Sequence, residues 1–166
     1  MPRGPRFGIS TQLYLGQRLG RDHLREVAAA GFDSLELHAT RTHVDYHSGA
    51  VVADLQGWLA GTRLDLVSVH APVAEGFSAG RWLAPLNLAS PDAARREHAL
   101  DEVLQALYIA RRLPFRPVVV HAGLVKALQP EPGANNRDAA RRSSGAIAAA
   151  AQPLGVNVAL ELVPNE

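Results

Sequence analysis

Cysteine is absent from this 166-residue sequence, and its absence excludes several kinds of chemistry. Disulfide bonds, thiolate metal ligands and cysteine nucleophiles are all ruled out. Histidine, aspartate and glutamate remain as the side chains that would bind a metal ion.

An excess of one charge is also absent, because 17 Lys and Arg residues oppose 16 Asp and Glu residues, giving a net charge of +1. A nearly neutral chain has no overall attraction to nucleic acid or to an anionic membrane. We therefore expect neither as a partner, since binding to either would need a local basic patch.

Long apolar runs are lacking as well. No run approaches the roughly 20 residues that cross a bilayer, and the basic start, residues 1–8, leads into no apolar signal-peptide segment. We expect a soluble, cytoplasmic protein. Hydrophobic residues make up 47% of the chain, which is enough to form the core of one domain over residues 1–166.

The sequence does contain a regular alternation of two kinds of segment. Runs rich in Val and Leu predict five strands, over residues 7–11, 34–38, 64–70, 117–121 and 156–162. Helical spacing of apolar residues predicts helices between them, over residues 22–30, 52–61, 90–112 and 138–151. Gly31 is predicted to follow the end of the first helix, and Ser90 and Pro91 to begin the third as N-cap and first-turn proline.

This alternation predicts an α/β fold, because almost wholly apolar strands are typical of a parallel sheet covered by helices. No G-x-G-x-x-G or P-loop follows the first strand, which favours a TIM (β/α)8-type barrel over a nucleotide-binding open sheet. Such a barrel has eight strands and about 250 residues. We therefore predict the N-terminal five βα units of a barrel truncated after its fifth strand. If the chain is complete, its exposed parallel edge predicts a homo-oligomer.

Polar side chains stand at or near the ends of four consecutive predicted strands, namely His38, His70, His121 and Glu161. The carboxyl ends of parallel strands frame one crevice, so we expect these side chains to meet there. Two imidazoles and a carboxylate, from His70, His121 and Glu161, are a suitable ligand set for zinc, manganese or cobalt. Each residue has a structural alternative: a hydrogen-bonded histidine, or a glutamate paired with an arginine.

Four stretches of the chain resemble the xylose isomerase-like TIM barrel superfamily, which includes sugar-phosphate isomerases and epimerases, inosose dehydratases and endonuclease IV (AP endonuclease family 2). They are VSVHAP at 67–72, LNLASPDAARREHALDEV at 86–103, VVVHAG at 118–123 and LELVPN at 160–165. The resemblance runs from GIST in the first strand to the end of the chain, and the order of these motifs is more specific than any one of them.

The resemblance implies roles for three residues. Glu161 matches the glutamate that is both metal ligand and proton-transferring base in the isomerases and epimerases. His70 and His121 match metal ligands of the endonuclease IV branch, whereas in the sugar branch they more often touch substrate. The remaining ligands of the family come from later strands and have no counterpart here. The family usually has Glu-Asn after the fifth strand, whereas here Leu162 follows Glu161.

The implied function is that of a divalent-metal-dependent sugar or sugar-phosphate isomerase or epimerase, which transfers a proton next to a carbonyl group. The alternatives are an abasic-site phosphodiesterase of the endonuclease IV kind and a non-catalytic barrel fragment. The expected partner is a small carbohydrate.

Three further residues are candidates for binding that substrate: His38 at the second strand end, Tyr14 after the first strand, and Trp82 in the long loop after the third. Tyr14 and Trp82 have a simpler interpretation, because aromatic residues in loops often only anchor the loop. His43 and His47 lie near the second strand end and are expected to be solvated.

Overall fold

The computed structural model describes residues 7–125, 128 and 131–161. Its strands are β1 (Gly8–Ser10), β2 (Ser34–His38), β3 (Asp65–His70), β4 (Ala74–Ser78), β5 (Arg81–Pro85), β6 (Pro117–His121) and β7 (Asn157–Glu161). Its α-helices are α1 (Arg21–Ala29), α2 (Gly49–Ala60), α3 (Ala93–Leu107) and α4 (Arg137–Ala151). Short 3-10 helices cover Thr11–Tyr14, Tyr108–Arg111 and Gln152–Leu154.

Five of the strands form one parallel sheet in the order β1-β2-β3-β6-β7. These are the five strands predicted from sequence, and the four α-helices lie in the predicted intervals. The predicted α/β class is therefore confirmed. The fifth strand was predicted to end at Leu162, which lies outside the described residues.

The two faces of the sheet differ because successive side chains of a strand point in opposite directions. On one face Leu35, Leu37, Val69, Val118 and Val120 are at most 1% exposed and belong to the main hydrophobic core. The same core includes Leu24, Leu55, Val103, Leu107 and Ile147 from the four helices. Burial of these side chains, each stabilising by roughly 1.5–3 kcal/mol, holds the helices against the sheet.

A β-bulge shifts the register between β2 and β3. Leu35 pairs with Leu66 but the next residue, Glu36, pairs with Ser68, so that Val67 is an extra residue in β3. Beyond the bulge Ser68 lies on the same face as Glu36, to whose Oε2 its hydroxyl donates a hydrogen bond of 2.9 Å.

The segment after β3, expected to be a loop, instead contains an antiparallel hairpin formed by β4 and β5. Its two-residue turn is Ala79–Gly80, with φ values of 47° and 74°. Positive φ at both positions matches the twist of a hairpin, but alanine is an unusual residue there. The sequence therefore lacks the Asn-Gly or Asp-Gly signal by which such a turn is normally recognised.

The predicted cap of the third helix is wrong by two residues. Asp92 is the N-cap of α3, and its Oδ1 accepts a hydrogen bond of 2.9 Å from the Arg95 amide. Ser90 instead accepts from the Asp92 amide at 3.2 Å, which orders the turn before the helix. The prediction for Gly31 is confirmed, since it follows α1 with a φ of 92°.

Candidate active site

The pairing of the parallel strands brings four polar side chains to one edge of the sheet. His38 pairs with His70 between β2 and β3, and His121 pairs with Glu161 between β6 and β7. The rings of His38 and His70 are stacked at 4.7 Å with an interplanar angle of 8°, and those of His70 and His121 meet edge-on at 4.9 Å. The structure therefore places all four strand-end residues in one row.

Three of these side chains converge on a single point. Oε2 of Glu161 lies 3.3 Å from Nε2 of His70 and 3.1 Å from Nε2 of His121. One potential ligand atom from each of the three lies within 4.8 Å of the others. Within the described residues this is the only cluster of at least three such ligands.

Hydrogen bonding by His70 shows how a cation would fit this cluster. Its Nδ1 lies 2.9 Å from the carbonyl oxygen of Ala71, which can only accept, so Nδ1 donates. A neutral ring then has no proton at Nε2, although that atom faces a carboxylate oxygen. Either a second proton or a metal ion must separate the two, and this residue set suits zinc, manganese or cobalt.

Charge and burial shift the proton affinities of the cluster. Burial and the nearby imidazole of His70 lower the pKa of His121, against the opposing effect of Glu161. Partial burial of Glu161 tends to raise its pKa, but His121 and His70 outweigh this, so the pKa is lowered. The carboxylate is therefore ionised at neutral pH and available as a ligand or a base. Nδ1 of His121 is buried without a hydrogen-bond partner among the described residues.

His38, predicted to bind substrate, is next to the cluster and is only 2% exposed. Its amide donates to Oγ1 of Thr11 at 2.9 Å, and its Nδ1 lies 3.1 Å from Oγ1 of Thr40. Burial, followed by the neighbouring imidazoles of His70, His43 and His121, lowers the pKa of His38 to about 3. Its imidazole is therefore neutral under ordinary conditions.

Trp82, the second predicted substrate residue, reaches the row from the hairpin. Its ring centroid lies 5.8 Å from that of His38 and 5.0 Å from that of Phe77. Thr42 fixes the hairpin, since its Oγ1 accepts from the Phe77 amide at 2.9 Å and donates to the Phe77 carbonyl at 3.1 Å. The hairpin thus brings an aromatic wall to the site.

Tyr14, the third predicted substrate residue, has none of the rings of the row as its aromatic neighbour in the described structure. Its ring packs against that of His23 at 4.6 Å. Burial and a hydrogen bond to Glu26 raise its pKa. Both of these neighbours are on α1, so a role for Tyr14 in substrate binding stays a prediction.

The expectation that His43 and His47 are solvated is wrong for His43. That ring is fully buried, with Nδ1 2.7 Å from the carbonyl oxygen of Gln17. His47 is exposed, as expected, although its Nε2 lies 3.1 Å from Oε1 of Glu102. Oε2 of the same carboxylate accepts a hydrogen bond from the Tyr46 hydroxyl group. Sequence reasoning missed this network because its members come from a loop and a helix more than 50 residues apart.

Comparison with known families agrees with this architecture. The family model described as xylose isomerase-like TIM barrel matches residues 24–166. The chain belongs to this family. The resemblance found in the motifs is confirmed, and so is the barrel type of the fold. No curated protein matches the sequence.

Several solved structures superimpose on almost the whole chain. A D-tagatose 3-epimerase-like protein does so with a TM-score of 0.74 and 26% identity, covering 98% of this chain and 54% of its own. A D-psicose 3-epimerase, solved in the presence of D-fructose, gives 0.70 and 20%, covering 95% and 52%. The IOLI protein with a bound zinc atom gives 0.66 and 17%, covering 94% and 51%.

The chain spans about half the length of these three structures. Among the described residues, no helix is both long and apolar enough to cross a membrane.

Proposed function

We propose that this chain supplies the first half of the active site of a divalent-metal-dependent sugar or sugar-phosphate isomerase or epimerase. The observation that carries the proposal is the convergence of Nε2 of His70 and Nε2 of His121 on Oε2 of Glu161. Two structural neighbours named as a 3-epimerase or as epimerase-like favour a small carbohydrate as substrate. A cytoplasmic location is part of the same proposal.

Metal binding is proposed for all three converging residues. The ring of His70 is oriented by the hydrogen bond from its Nδ1 to the carbonyl oxygen of Ala71. Nε2 is therefore the nitrogen whose lone pair would bind the metal. His121 presents Nε2 from the adjacent strand, and Glu161 contributes a carboxylate oxygen that is about half exposed to the site. A divalent ion bound here would polarise the carbonyl group of a substrate.

Proton transfer is proposed for Glu161. Isomerisation and epimerisation both require removal of a proton from the carbon next to a carbonyl group. A carboxylate with a lowered pKa is ionised at neutral pH and can accept that proton at the oxygen not held by the histidines. His121 and His70, which hold Oε2, orient the carboxylate for this step.

Substrate binding is proposed for His38 and Trp82. The ring of Trp82 offers a flat apolar surface to the C–H face of a sugar, and the neutral imidazole of His38 offers a hydrogen bond to a hydroxyl group. Trp82 lies on the hairpin beside His38 of β2, whereas Glu161 is on β7. The two side chains therefore border the site at opposite ends of the row of strand-end residues.

Metal titration of the chelator-treated full-length protein tests the proposal. Calorimetry with Zn²⁺, Mn²⁺ and Co²⁺ should detect one site, weakened at least tenfold by His70→Ala, His121→Ala or Glu161→Gln. His98→Ala is the matched control, because His98 also binds a glutamate, Glu75 at 2.7 Å, but lies outside the row. Failure of all three ions to bind the unsubstituted protein would refute the proposal.

A second measurement addresses proton transfer. Ketohexoses incubated with the metal-loaded full-length protein in D2O should gain deuterium next to the carbonyl group, as followed by proton NMR. The exchange should disappear in Glu161→Gln and persist in His98→Ala. Exchange that survives in Glu161→Gln would assign the base to another residue.

A further inference from the structure

A buried carboxylate on α3 holds the loop that connects β2 to α2, residues 39–48. This carboxylate belongs to Glu102, which is only 3% exposed. The hydroxyl group of Tyr46 donates a hydrogen bond to its Oε2, and Nε2 of His47 lies 3.1 Å from its Oε1. Nη1 of Arg41 is 4.0 Å from Oε1 as well. Three side chains of one loop are therefore gathered around a single charged group of the helix.

Stability alone does not explain a charge at this position. Taking a carboxylate out of water costs free energy, which its hydrogen bonds recover only when their geometry is good. An apolar side chain would pack there without that cost, as the next residue, Val103, does in the main core. An apolar contact has no preferred direction, whereas a hydrogen bond does. The carboxylate of Glu102 is therefore the group that fixes one arrangement of the loop.

The same loop also holds the hairpin that borders the site. Thr42 makes both of the loop's hydrogen bonds to Phe77, at 2.9 Å and 3.1 Å. A Cβ atom added to Gly76 would lie 2.9 Å from Cγ2 of Thr42, so only glycine fits where the loop and the hairpin touch. Phe77 pairs with Trp82 across the hairpin, and the Trp82 ring is 5.8 Å from that of His38. A shift of the loop would therefore move the indole ring.

We propose that Glu102 is a positioning residue, which sets the place of Trp82 in the site by holding the loop through Tyr46 and His47. The inference rests on the proposed function only where a substrate is concerned, since the position of the ring can be measured without one. Glu102 lies on a helix, whereas the row of site residues lies on strands. It therefore affects binding of substrate at Trp82 and leaves the metal ligands and the base in place.

A paired substitution removes the network without leaving a buried polar group unsatisfied. In Tyr46→Phe/Glu102→Leu the hydroxyl group and the carboxylate are lost together, and apolar side chains replace them. Asp101→Leu is the matched control, because it removes a carboxylate from the exposed side of the same helix. If the paired variant does not fold, Tyr46→Phe alone takes its place, since that change leaves the carboxylate with His47 as a partner.

Nuclear Overhauser spectra of the full-length protein measure the position of the ring. The chain has two tryptophans, and Trp58→Phe identifies the signals of Trp82. In the paired variant we expect the cross-peaks between Trp82 and His38 to weaken about twofold or more, while those between Trp82 and Phe77, inside the hairpin, persist. Asp101→Leu should change neither. Undiminished cross-peaks between Trp82 and His38 in the folded paired variant would overturn the inference.

Kinetics test the consequence for substrate binding. In the paired variant KM for a turned-over ketose should rise about three- to tenfold, the range for a weakened contact with an aromatic ring, while kcat and metal affinity change less than twofold. An unchanged KM would overturn the role of Glu102 in substrate binding. If the wild type turns over no sugar, the proposed function fails, while the spectra still decide whether Glu102 positions the ring.

A double-mutant cycle shows whether Glu102 acts through Trp82. Trp82→Ala should also raise KM, and adding the paired change to it should raise KM less than twofold further, because the ring through which the network acts is already gone. Increases that multiply, as for independent residues, would show that the network acts on the substrate by another route and would overturn the inference.

Discussion

Strand β2 presents two different surfaces within five residues. Leu35 and Leu37 are fully buried beneath the helices, whereas Glu36 and His38, on the other face, bind polar partners from β3 and the neighbouring loops. The same alternation continues in β3 and β6, where Val69, Val118 and Val120 belong to the core. One face therefore supplies stability and the other supplies chemistry, and substitutions on the two faces should have separable effects.

The largest expected effect comes from Glu161, on the chemical face. Glu161→Gln should reduce turnover by about 100- to 10,000-fold, the range for loss of a general base, while the free energy of unfolding changes little because Glu161 is about half exposed. Steady-state kinetics and urea unfolding measure the two quantities. Glu75→Gln, a change in another histidine-bound glutamate, should leave turnover intact. Equal losses of turnover in Glu161→Gln and Glu75→Gln would contradict the proposal that Glu161 is the base.

The next largest effect concerns the core face. Leu37→Ala should lower the free energy of unfolding by about 2–5 kcal/mol, because it removes a fully buried side chain and leaves a cavity. Its neighbour on the other face, changed as Glu36→Gln, should cost less than about 1 kcal/mol. Urea denaturation compares the two. Similar losses of unfolding free energy in the two variants would show that stability does not come mainly from the core face of the sheet.

The pH dependence of stability sharpens the comparison, because His38 combines deep burial with a position on the chemical face. The unfolded chain binds a proton at this residue below its ordinary pKa of 6.5, whereas the folded ring does so only near pH 3. Stability is therefore fully present above pH 6.5 and is lost as the pH falls toward 3, by at most about 1.4 kcal/mol per pH unit.

Urea midpoints measured between pH 4 and 7 should show this slope in the wild type and a smaller one in His38→Gln. His121, whose pKa is also lowered, acts in the same direction and accounts for part of the remaining slope. An identical slope in the variant would mean that the buried ring is already protonated or hydrated in the folded protein.

The smallest effect is expected where the hairpin joins the site. Thr42→Val removes two hydrogen bonds to the main chain of Phe77, each worth about 1 kcal/mol. Hydrogen exchange at the Phe77 amide should accelerate about tenfold, while the amides of the parallel sheet keep their protection. Uniform acceleration across the sheet would show that the hairpin is instead part of the main cooperative unit.

The row of strand-end residues could be predicted from the sequence, because the prediction depends on only two observations. Apolar runs identify the parallel strands, and the carboxyl ends of such strands meet at one edge, so His38, His70, His121 and Glu161 had to lie near one another. The orientation of the rings could not be predicted in this way, since it depends on Thr40 and Ala71, which are bonded only in the folded chain.

Other features carry too weak a local signal. The hairpin turn has Ala79 where Asn, Asp or Gly would be expected, and the burial of His43 depends on a carbonyl 26 residues away. Glu102 would be read as the exposed side of a helix, but Tyr46 and His47 hydrogen-bond to it from a distant loop and allow its burial. Contacts between distant segments decide each of these cases.

The bulge at Val67 has a consequence for how such a site is gained or lost. If the strand paired regularly, with Val67 opposite Glu36, His38 would pair with Val69, and His70 would turn toward the helices and leave the row. Loss of the bulge with Val67 retained would thus exchange the two surfaces of the strand beyond it, whereas deletion of Val67 itself would leave the pairing of His38 with His70 unchanged. A site of this kind can therefore be lost through a one-residue shift in strand register, although every ligand residue is still present in the sequence.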